Sequence, residues 1–376
     1  MVPSRKMKFN DFLGNKVSML GMGTMRLPCH GTGALDLDAG AALIRKGIDG
    51  GINYIDTAYF YHEGKAEVSV GMAVKGVRDK AFIADKSPSW MYKSENGFME
   101  IFEEQLRRLD TDYIDFYLFH ALDRGGMERM VKYKVWEHAQ DLKRQDVIKH
   151  FGFSFHDTYD IYERAWKEYP WEFSQIQMNY LDIEHQAGIK GVQLSGRLNK
   201  PLIIMEPLLG GRLGAHMPAA IAEGFRKLNP ARTPAEFALR FLAEMPEVTV
   251  ILSGMSTEEQ LAQNIALFSK IDSDRLNAVE NEYLKDIRKH WDTAMLIPCT
   301  KCGYCAPCPC GVDIPACFEA FNTVCRAAAD HDAAHKLYKA LKESGKSADK
   351  CAACGACETH CPQGIKIIEK LREIKL

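Results

Sequence analysis

Apolar and polar residues recur with two different periods along the first 270 residues. Short runs rich in β-branched and aromatic residues are typical of buried strands, and segments with an apolar residue every third or fourth position are typical of amphipathic helices. The predicted strands are Val17–Met22, Asn53–Ala58, Ala81–Lys86, Ile114–His120, Ile148–Phe155, Ser174–Tyr180, Pro201–Glu206 and Val248–Ser253. The predicted helices between them include Asn96–Leu109, Met127–Gln145, Gly188–Asn199, Pro234–Met245 and Glu258–Phe268.

The order of these elements predicts an α/β fold. Strands that alternate with helices pair in parallel through right-handed crossovers. Eight such strands over roughly 250 residues favour a closed (β/α)8 TIM barrel, with an open doubly wound sheet as the alternative. The segments Met7–Phe12 and Val17–Leu20 flank Gly14 and Asn15, so we expect a hairpin that closes the floor of the barrel.

A second, smaller domain is predicted after the barrel. A helix over Asp274–Trp291 leads to a boundary near Met295–Pro298, which divides the chain into a barrel domain, 1–295, and a tail domain, 296–376. Within the tail, the segments Ile314–Ala329 and Asp332–Ser344 have helical periodicity.

Composition narrows the class of protein. A net charge of -2 lacks the basic excess of nucleic-acid-binding proteins. The longest apolar runs, such as Pro201–Met205, are too short to span a bilayer, and the N-terminus has no apolar segment typical of a secretory signal. We therefore expect a cytoplasmic protein with no nucleic-acid or membrane partner.

The cysteines are concentrated in the tail. Of twelve, only Cys29 precedes residue 299, and the other eleven lie between Cys299 and Cys361. A secreted disulfide scaffold spreads its cysteines through a short chain, whereas a cluster in a cytosolic protein indicates metal binding.

Two cysteine runs have the spacing of iron-sulfur ligands. The run from Cys351 to Cys361 reads C-x2-C-x2-C-x3-C-P, which is the spacing of bacterial ferredoxins. The run from Cys299 to Cys308 is one residue shorter before its last cysteine, and it also ends in Cys-Pro. This duplication predicts two 4Fe-4S clusters. Zinc is the alternative, but zinc sites usually combine two C-x2-C pairs.

In two-cluster ferredoxins the cysteine before proline binds the other cluster. The predicted ligands are Cys299, Cys302, Cys305 and Cys361 for one cluster, and Cys351, Cys354, Cys357 and Cys308 for the other. The shortened spacing leaves Cys310 as an alternative to Cys308. Cys317 and Cys325 lie in the first predicted tail helix and are predicted to be buried apolar side chains. With its two helices, the tail resembles an α-helical ferredoxin domain.

Ionisable residues occupy the ends of three successive barrel strands. Asp56, Lys86 and His120 end the second, third and fourth predicted strands, and Tyr61 lies on the loop after Asp56. Because active sites of TIM barrels form at the carboxyl ends of the strands, these four side chains are expected to meet there. Any one of them alone is more often structural.

These residues resemble the Asp, Tyr, Lys and His tetrad of the aldo/keto reductases. The segments Asp56–Tyr61 and Tyr113–His120 carry the likeness, together with Lys86 and the first-strand segment Leu20–Pro28. The likeness covers about residues 7–270, and the whole chain resembles the ferredoxin-tailed aldo/keto reductases of anaerobic bacteria. It implies an oxidoreductase that reduces a carbonyl or similarly polarised small molecule. A barrel that lost this chemistry, in an electron-transfer or regulatory subunit, is the alternative.

The resemblance also implies a role for each residue of the tetrad. Tyr61 would donate the proton, and since a phenol has a pKa of about 10, a cationic Lys86 would lower that pKa. Asp56 would hold Lys86 in place, and His120 would orient the carbonyl group.

A nicotinamide pocket follows from the same resemblance. Its residues would be Gly23, Thr24, Met25, Ser154, Gln177, Met205, Pro207, Leu208, Ser253, Gly254, Met255, Gln260 and Asn264. The chain departs from the family at Phe155, where asparagine is expected, and at Met205, where a tyrosine stacks on nicotinamide. Gly254, Met255 and Gln260 carry no charge where basic residues hold the 2′-phosphate of NADP. We expect NAD(P)H, without evidence for an NADP preference.

Iron-sulfur clusters transfer single electrons, whereas nicotinamide transfers two as hydride. Coupling the two would require a converter such as FMN, whose phosphate would lie near Gly254 or near Gly210 and Gly211. FMN is therefore the alternative cofactor. A structural tail, or one that docks a redox partner protein, is the other possibility.

Overall fold

The computed structural model describes residues 7–31, 33–214, 217, 219–290, 297–324 and 331–376. The strands are β1 Phe9–Phe12, β2 Asn15–Ser18, β3 Leu20–Gly23, β4 Tyr54–Asp56, β5 Phe82–Ser87, β6 Ile114–Leu122, β7 Ile148–Phe155, β8 Ser174–Gln177, β9 Leu202–Met205 and β10 Val248–Gly254. The helices are α1 Leu37–Asp49, α2 Lys65–Val74, α3 Gly97–Leu109, α4 Arg124–Lys132, α5 Val135–Arg144, α6 Tyr159–Glu168, α7 Gly188–Arg197, α8 Ala219–Leu228, α9 Pro234–Ala243, α10 Glu258–Phe268, α11 Ala278–His290, α12 Ile314–Val324, α13 His331–Glu343, α14 Ala356–Thr359 and α15 Ile367–Glu373.

Strands β3 to β10 form a closed barrel in the order β10-β3-β4-β5-β6-β7-β8-β9, and each neighbouring pair is parallel. This confirms the predicted (β/α)8 barrel and excludes the open sheet. The closing pair aligns Leu252 of β10 with Gly21 of β3. A Cβ atom on Gly21 would lie 2.7 Å from the Leu252 side chain, so glycine leaves room for Leu252 at this position.

A hairpin fills the floor of the barrel, as predicted. Strands β1 and β2 pair in antiparallel fashion around Gly14, which has a φ of 83°. The hairpin inserts Phe12, which is fully buried, stacks on Phe116 at 4.2 Å and meets Phe173 edge-on at 5.2 Å. These aromatic contacts seal the end of the barrel that lies away from the strand C-termini.

Two predicted elements are wrong in detail. The predicted strand Val17–Met22 divides into the ends of β2 and β3, because the Ser18 hydroxyl donates to the Leu20 carbonyl and bends the chain. The predicted helix Met127–Gln145 is two helices, α4 and α5, separated by Lys134 in a left-handed conformation with a φ of 46°. A left-handed residue ends a helix, and the apolar periodicity continues through the break.

Some predictions fall outside the described residues. Trp291 at the end of one predicted helix, Met295 at the predicted domain boundary, and residues 325–329 of another helix, which include Cys325, are not described.

The chain divides into two compact units. One contains Met1–Pro207 and Leu239–Leu276, which include all ten strands given above, and the other contains Leu208–Ala238 and Asn277–Leu376. The predicted boundary at residues 295 and 296 is a different division and stays a prediction. The second unit has an apolar core of its own, which includes Ile314, Phe318, Leu341, Ile367 and Leu371. Within the described ranges, no helix has the length and apolar character needed to cross a membrane.

Candidate active site

The four predicted catalytic residues lie at the carboxyl ends of adjacent barrel strands. Asp56 ends β4, Lys86 is the last but one residue of β5, and His120 lies near the end of β6. Tyr61 begins a short 3-10 turn, Tyr61–Gly64, that follows β4. All four are buried, with exposed fractions of 7% or less. The barrel therefore brings them together, as the sequence predicted.

Lys86 is the centre of this group. Its Nζ donates hydrogen bonds to Asp56 Oδ1 at 2.7 Å and to the Thr57 carbonyl at 2.6 Å. The same ammonium lies 5.1 Å from the centre of the Tyr61 ring, and the Tyr61 and His120 rings are 6.1 Å apart. A cation close to a phenol stabilises the phenolate form, so this arrangement favours proton donation by Tyr61.

Burial shifts the pKa values of Asp56 and His120. Burial raises the pKa of Asp56, and the neighbouring Lys86 opposes this by favouring the carboxylate. Burial also lowers the pKa of His120 well below its ordinary value, and the charges of Lys86 and His156 act in the same direction. His120 is thus a neutral imidazole, suited to hydrogen bonding rather than to carrying a positive charge.

Two aromatic rings pack against His120. The Phe60 ring stacks on His120 at 5.2 Å, and Trp90 lies 5.2 Å from it at an angle of 56°. Phe60 and Trp90 also contact each other, with ring centres 5.8 Å apart. Sequence reasoning gave Phe60 no role, although it directly precedes Tyr61.

The predicted nicotinamide residues occupy the ends of further barrel strands. Ser154 Oγ accepts from the Ala121 amide at 2.8 Å, and Gln177 Nε2 donates to Asp182 Oδ2 at 3.1 Å. Gln177 is paired in register with Met205 on β9. Pro207 follows β9 in the first unit, and Leu208 begins the second unit.

Phe155 and His156, at the end of β7, have different surroundings. Its ring packs on Tyr162 of α6 at 5.1 Å, so the side chain faces the helix layer. The next residue, His156, is half-buried, and its Nδ1 lies 3.2 Å from Gln186 Oε1. Sequence reasoning missed His156, although alternation along β7 puts residues 154 and 156 on one face.

The remaining predicted cofactor residues cluster around β3 and β10. Gly23 aligns with Asp56 on one side and with Gly254 on the other. Thr24 donates its amide and its hydroxyl to the Asp56 carbonyl, and Met25 packs against Tyr61. Further contacts fix the β10 end of the pocket: Asn264 Nδ2 donates to Ser253 Oγ, Met255 is buried, and Gln260 Oε1 accepts from the Ser256 amide.

One basic residue near this pocket was missed. A Cβ atom on Gly254 would lie 3.3 Å from three carbons of the Arg26 side chain. The Ser256 hydroxyl donates to the Arg26 carbonyl at 2.6 Å, which fixes the Arg26 backbone beside the loop after β10. The aliphatic part of the Arg26 side chain, which comes from a distant part of the chain, therefore packs beside Gly254.

The two cysteine runs share one backbone conformation. Lys301 and Ala353, each two residues after the first cysteine of its run, have φ values of 56° and 57°. Gly303 and Gly355, each four residues after it, have φ values of 79° and 80°. Helices α12 and α15 each begin at the sixth residue after the last cysteine of a run. The internal duplication thus extends from sequence to conformation.

Thiols of the two runs lie near one another. Burial, followed by the thiols of Cys299 and Cys361, raises the pKa of Cys305 to about 12. Burial raises the pKa of Cys357 as well, with Cys351 and Cys308 acting in the same direction. One cavity is lined by Cys308, Cys310, Cys351, Cys354 and Cys357. In the part of the chain that the structure describes, no group of three or more His, Cys, Asp or Glu side chains is arranged to hold a metal ion. Cys317 is buried in the tail core, as predicted.

Comparison with known proteins identifies relatives of the barrel. The model of the aldo/keto reductase family matches residues 19–283, which end before the first tail cysteine. The uncharacterized oxidoreductase YqkF of Bacillus subtilis is 26% identical over 308 residues, which cover 73% of this chain and 95% of the relative. Methylglyoxal reductase YeaE of Escherichia coli is 34% identical over 148 residues, which cover 38% of this chain and 50% of the relative.

Solved structures share the fold. An aldo-keto reductase from Bacillus halodurans superimposes with a TM-score of 0.63 at 24% identity, over 75% of this chain and 96% of that one. An aldo/keto reductase from Klebsiella pneumoniae, solved in complex with NADP and acetate, gives a TM-score of 0.61 at 23% identity, over 76% of this chain and 95% of that one.

Proposed function

Since the chain belongs to the aldo/keto reductase family and is an oxidoreductase, we propose that its barrel reduces a carbonyl group with NAD(P)H. Tyr61 is the proton donor in this proposal. The observation that carries it is the buried group in which Lys86 contacts Asp56 at 2.7 Å and lies 5.1 Å from the Tyr61 ring. A small aldehyde or ketone is the substrate class that this chemistry requires.

Bound NAD(P)H supplies the hydride that adds to the carbonyl carbon, and the residues of the chain manage the charge that develops on oxygen. The neutral His120 imidazole donates a hydrogen bond that orients the carbonyl oxygen. The Tyr61 hydroxyl then gives its proton to that oxygen, which completes the alcohol. The Lys86 ammonium stabilises the phenolate that remains, and Asp56 keeps Lys86 in place.

The residues present fit a nicotinamide cofactor. Ser154 and Gln177 offer polar groups on adjacent strands, where they would hold the carboxamide. Arg26 is the basic side chain beside Gly254, where it would face an adenosine 2′-phosphate. This contact supports NADP(H), which the uncharged β10 loop alone does not.

Substitution of Tyr61 tests the proposed role directly. Tyr61→Phe should lower kcat for aldehyde reduction by about 10²- to 10⁴-fold, the usual contribution of general acid catalysis. Tyr92→Phe is the matched control, because Tyr92 is also 7% exposed but its hydroxyl bonds only Ser87 Oγ in the contacts described. Equal kcat values for wild type and Tyr61→Phe would refute the role.

We further propose that the tail, residues 296–376, is a ferredoxin-like domain with two 4Fe-4S clusters. One cluster is held by Cys299, Cys302, Cys305 and Cys361, and the other by Cys351, Cys354, Cys357 and Cys308. The cavity that Cys308 of the first run shares with Cys351, Cys354 and Cys357 of the second run supports this crossed arrangement. The Lys301 amide donates to Cys299 Sγ at 3.4 Å, a contact that also occurs around cluster sulfurs. Reduced cysteines fit a cytoplasmic protein.

Iron analysis tests the tail. Anaerobically purified protein should contain about eight irons and eight acid-labile sulfides per chain, as two cubane clusters require. Stoichiometric zinc without labile sulfide would contradict the proposal. The clusters would exchange single electrons with a redox partner protein.

A flavin is the second candidate for the barrel cofactor. Met205, in place of a stacking tyrosine, and the one-electron chemistry of the clusters favour it. Release of FMN from denatured, anaerobically purified protein would support the flavin. Saturable binding of NADPH or NADH to flavin-free protein would support nicotinamide instead.

A further inference from the structure

Two buried carboxyl groups lie behind the tetrad. Glu67 of α2 and Asp85 of β5 are both fully buried. Asp85 directly precedes Lys86, so alternation along the strand directs the two side chains to opposite faces. Lys86 therefore reaches the active site, and Asp85 points into the layer between β5 and the helices.

Each carboxyl group has one satisfied and one unsatisfied oxygen. Asp85 Oδ1 accepts from the Lys86 amide at 2.7 Å, and Glu67 Oε2 accepts from Arg108 Nη1 at 2.7 Å. Among the described residues, Asp85 Oδ2 and Glu67 Oε1 have no donor, and the two carboxyl groups are near enough to influence each other's pKa. Ionised carboxylates are acceptors only, so a hydrogen bond between them requires one bound proton.

The charged groups around Glu67 and Asp85 are consistent with one proton bound to the two carboxyl groups. From α3, Arg108 contacts Glu67 and Gln105 lies close to it, while Tyr117 of β6 lies near both acids. The positive charge of Lys86 also lowers the pKa of Asp85. Its hydrogen bonds, however, are donated to Asp56 Oδ1 and to the Thr57 carbonyl. Burial, and then Glu67, raise the pKa of Asp85 well above its ordinary value. Arg108 is the cation that contacts the pair, and its Nε also donates to Glu104 Oε1 at 2.7 Å, so it balances at most one negative charge shared by Glu67 and Asp85.

Arg108 connects the pair to the turn that carries Tyr61. Its Nη1 donates to the Tyr59 carbonyl at 2.8 Å, two residues before Tyr61. After Tyr61, residues His62 and Glu63 have left-handed φ values of 50° and 59°. A Cβ atom on Gly64 would lie 2.4 Å from Arg108 Nη1, so the guanidinium packs directly on this strained turn. Arg108 therefore contacts the chain on both sides of Tyr61.

We propose that Glu67 and Asp85 share one proton at neutral pH and act, with Arg108, as positioning residues for the tetrad. Asp85 holds the backbone of Lys86, and Glu67 holds Arg108 against the turn that carries Tyr61. The positioning role rests on the proposed function of the tetrad, whereas the shared proton does not.

Infrared spectroscopy of the full-length wild-type holoprotein tests the proton. The C=O stretch of a protonated carboxylic acid should be present at pH 7 and should shift in D2O. In Asp85→Asn this band should be absent, because the amide replaces the protonated acid with the same shape. Absence of the band from the wild type, or its persistence in Asp85→Asn, would overturn the shared proton. This result is independent of any activity.

Kinetics test the positioning role. Asp85→Asn retains an acceptor for the Lys86 amide and a donor for Glu67, so kcat should be retained. Glu67→Gln removes the ion pair with Arg108 and should lower kcat by about 10- to 100-fold with KM for the aldehyde unchanged, as small displacements of catalytic groups do. Arg108→Lys should recover part of the kcat that Arg108→Met loses. Unchanged kcat in both Glu67→Gln and Arg108→Met would overturn the positioning role, while an inactive wild type would instead refute the proposed function.

Discussion

Substitution of Lys86 by methionine separates the structural role of the tetrad from its chemistry. Methionine keeps an unbranched apolar side chain but removes the ammonium. The side chains of Lys86 and Asp56 are 1% and 4% exposed, and they form an ion pair at 2.7 Å. Removing one partner of a buried pair costs about 3–5 kcal/mol, because the other charge remains buried without compensation. This loss is a large part of the total stability of a typical domain, about 5–15 kcal/mol.

The loss should depend on pH in a defined direction. Burial raises the pKa of Asp56 and Lys86 opposes the rise, so without Lys86 the folded-state pKa should rise further. The unfolded carboxyl group has a pKa of about 3.9. Between these two values only the folded state keeps the proton, so the stability of Lys86→Met falls as pH increases, by up to about 1.4 kcal/mol per pH unit. The deficit relative to wild type should be small near pH 4 and largest at neutral pH.

The double variant Asp56→Asn/Lys86→Met completes the test. It has no buried charge at this position, so it should regain most of the stability that Lys86→Met loses at pH 7. Carbonyl reduction should remain lost in both variants. Urea unfolding followed by circular dichroism at several pH values measures the free energies. An equal deficit for Lys86→Met at pH 4.5 and pH 7.5, or a double variant less stable than Lys86→Met, would show that Lys86 does not compensate the buried charge of Asp56.

Three further changes test other parts of the molecule. Cys308→Ser should lower the iron content to about half of eight per chain, whereas Cys310→Ser should leave it unchanged; the reverse result would make Cys310 the ligand. Arg26→Ala should raise KM for NADPH about tenfold or more with little effect on KM for NADH, because a charged hydrogen bond contributes about 1.5–3 kcal/mol, and equal effects on both cofactors would contradict this. Phe12→Ala should lower the free energy of unfolding by about 3–5 kcal/mol with KM unchanged, and a stable variant would show that the floor is not sealed by this ring.

The barrel was predictable because its signal is repeated along the chain. Strand β7 and helix α10 have the predicted bounds, since turn residues at both ends delimit their apolar patterns. The break between α4 and α5 was not predictable from periodicity, because both helices continue one apolar face. Only the left-handed backbone at Lys134 separates them.

The tetrad was predictable because strand ends of a barrel meet at one mouth. Contacts between side chains in the layer outside the strands were not predictable. Glu67, Asp85 and Arg108 lie on three different elements, and nothing in their spacing indicates that they meet. The contact of Arg26 with Gly254 is similar, because it joins residues that are neighbours only after β10 closes the barrel onto β3.

The central claim is that the barrel transfers hydride from a nicotinamide to a carbonyl carbon while Tyr61 supplies the proton. The most direct measurement uses NADPH or NADH carrying deuterium at the transferable position of C4, with a simple aldehyde, anaerobically purified protein and mass spectrometry of the alcohol. One deuterium per turnover should appear on the carbinol carbon in ordinary water. Hydrogen from solvent at that carbon would contradict direct hydride transfer. Electrons delivered through the clusters, or through a flavin that exchanges its hydrogen with water, would not carry deuterium to the alcohol.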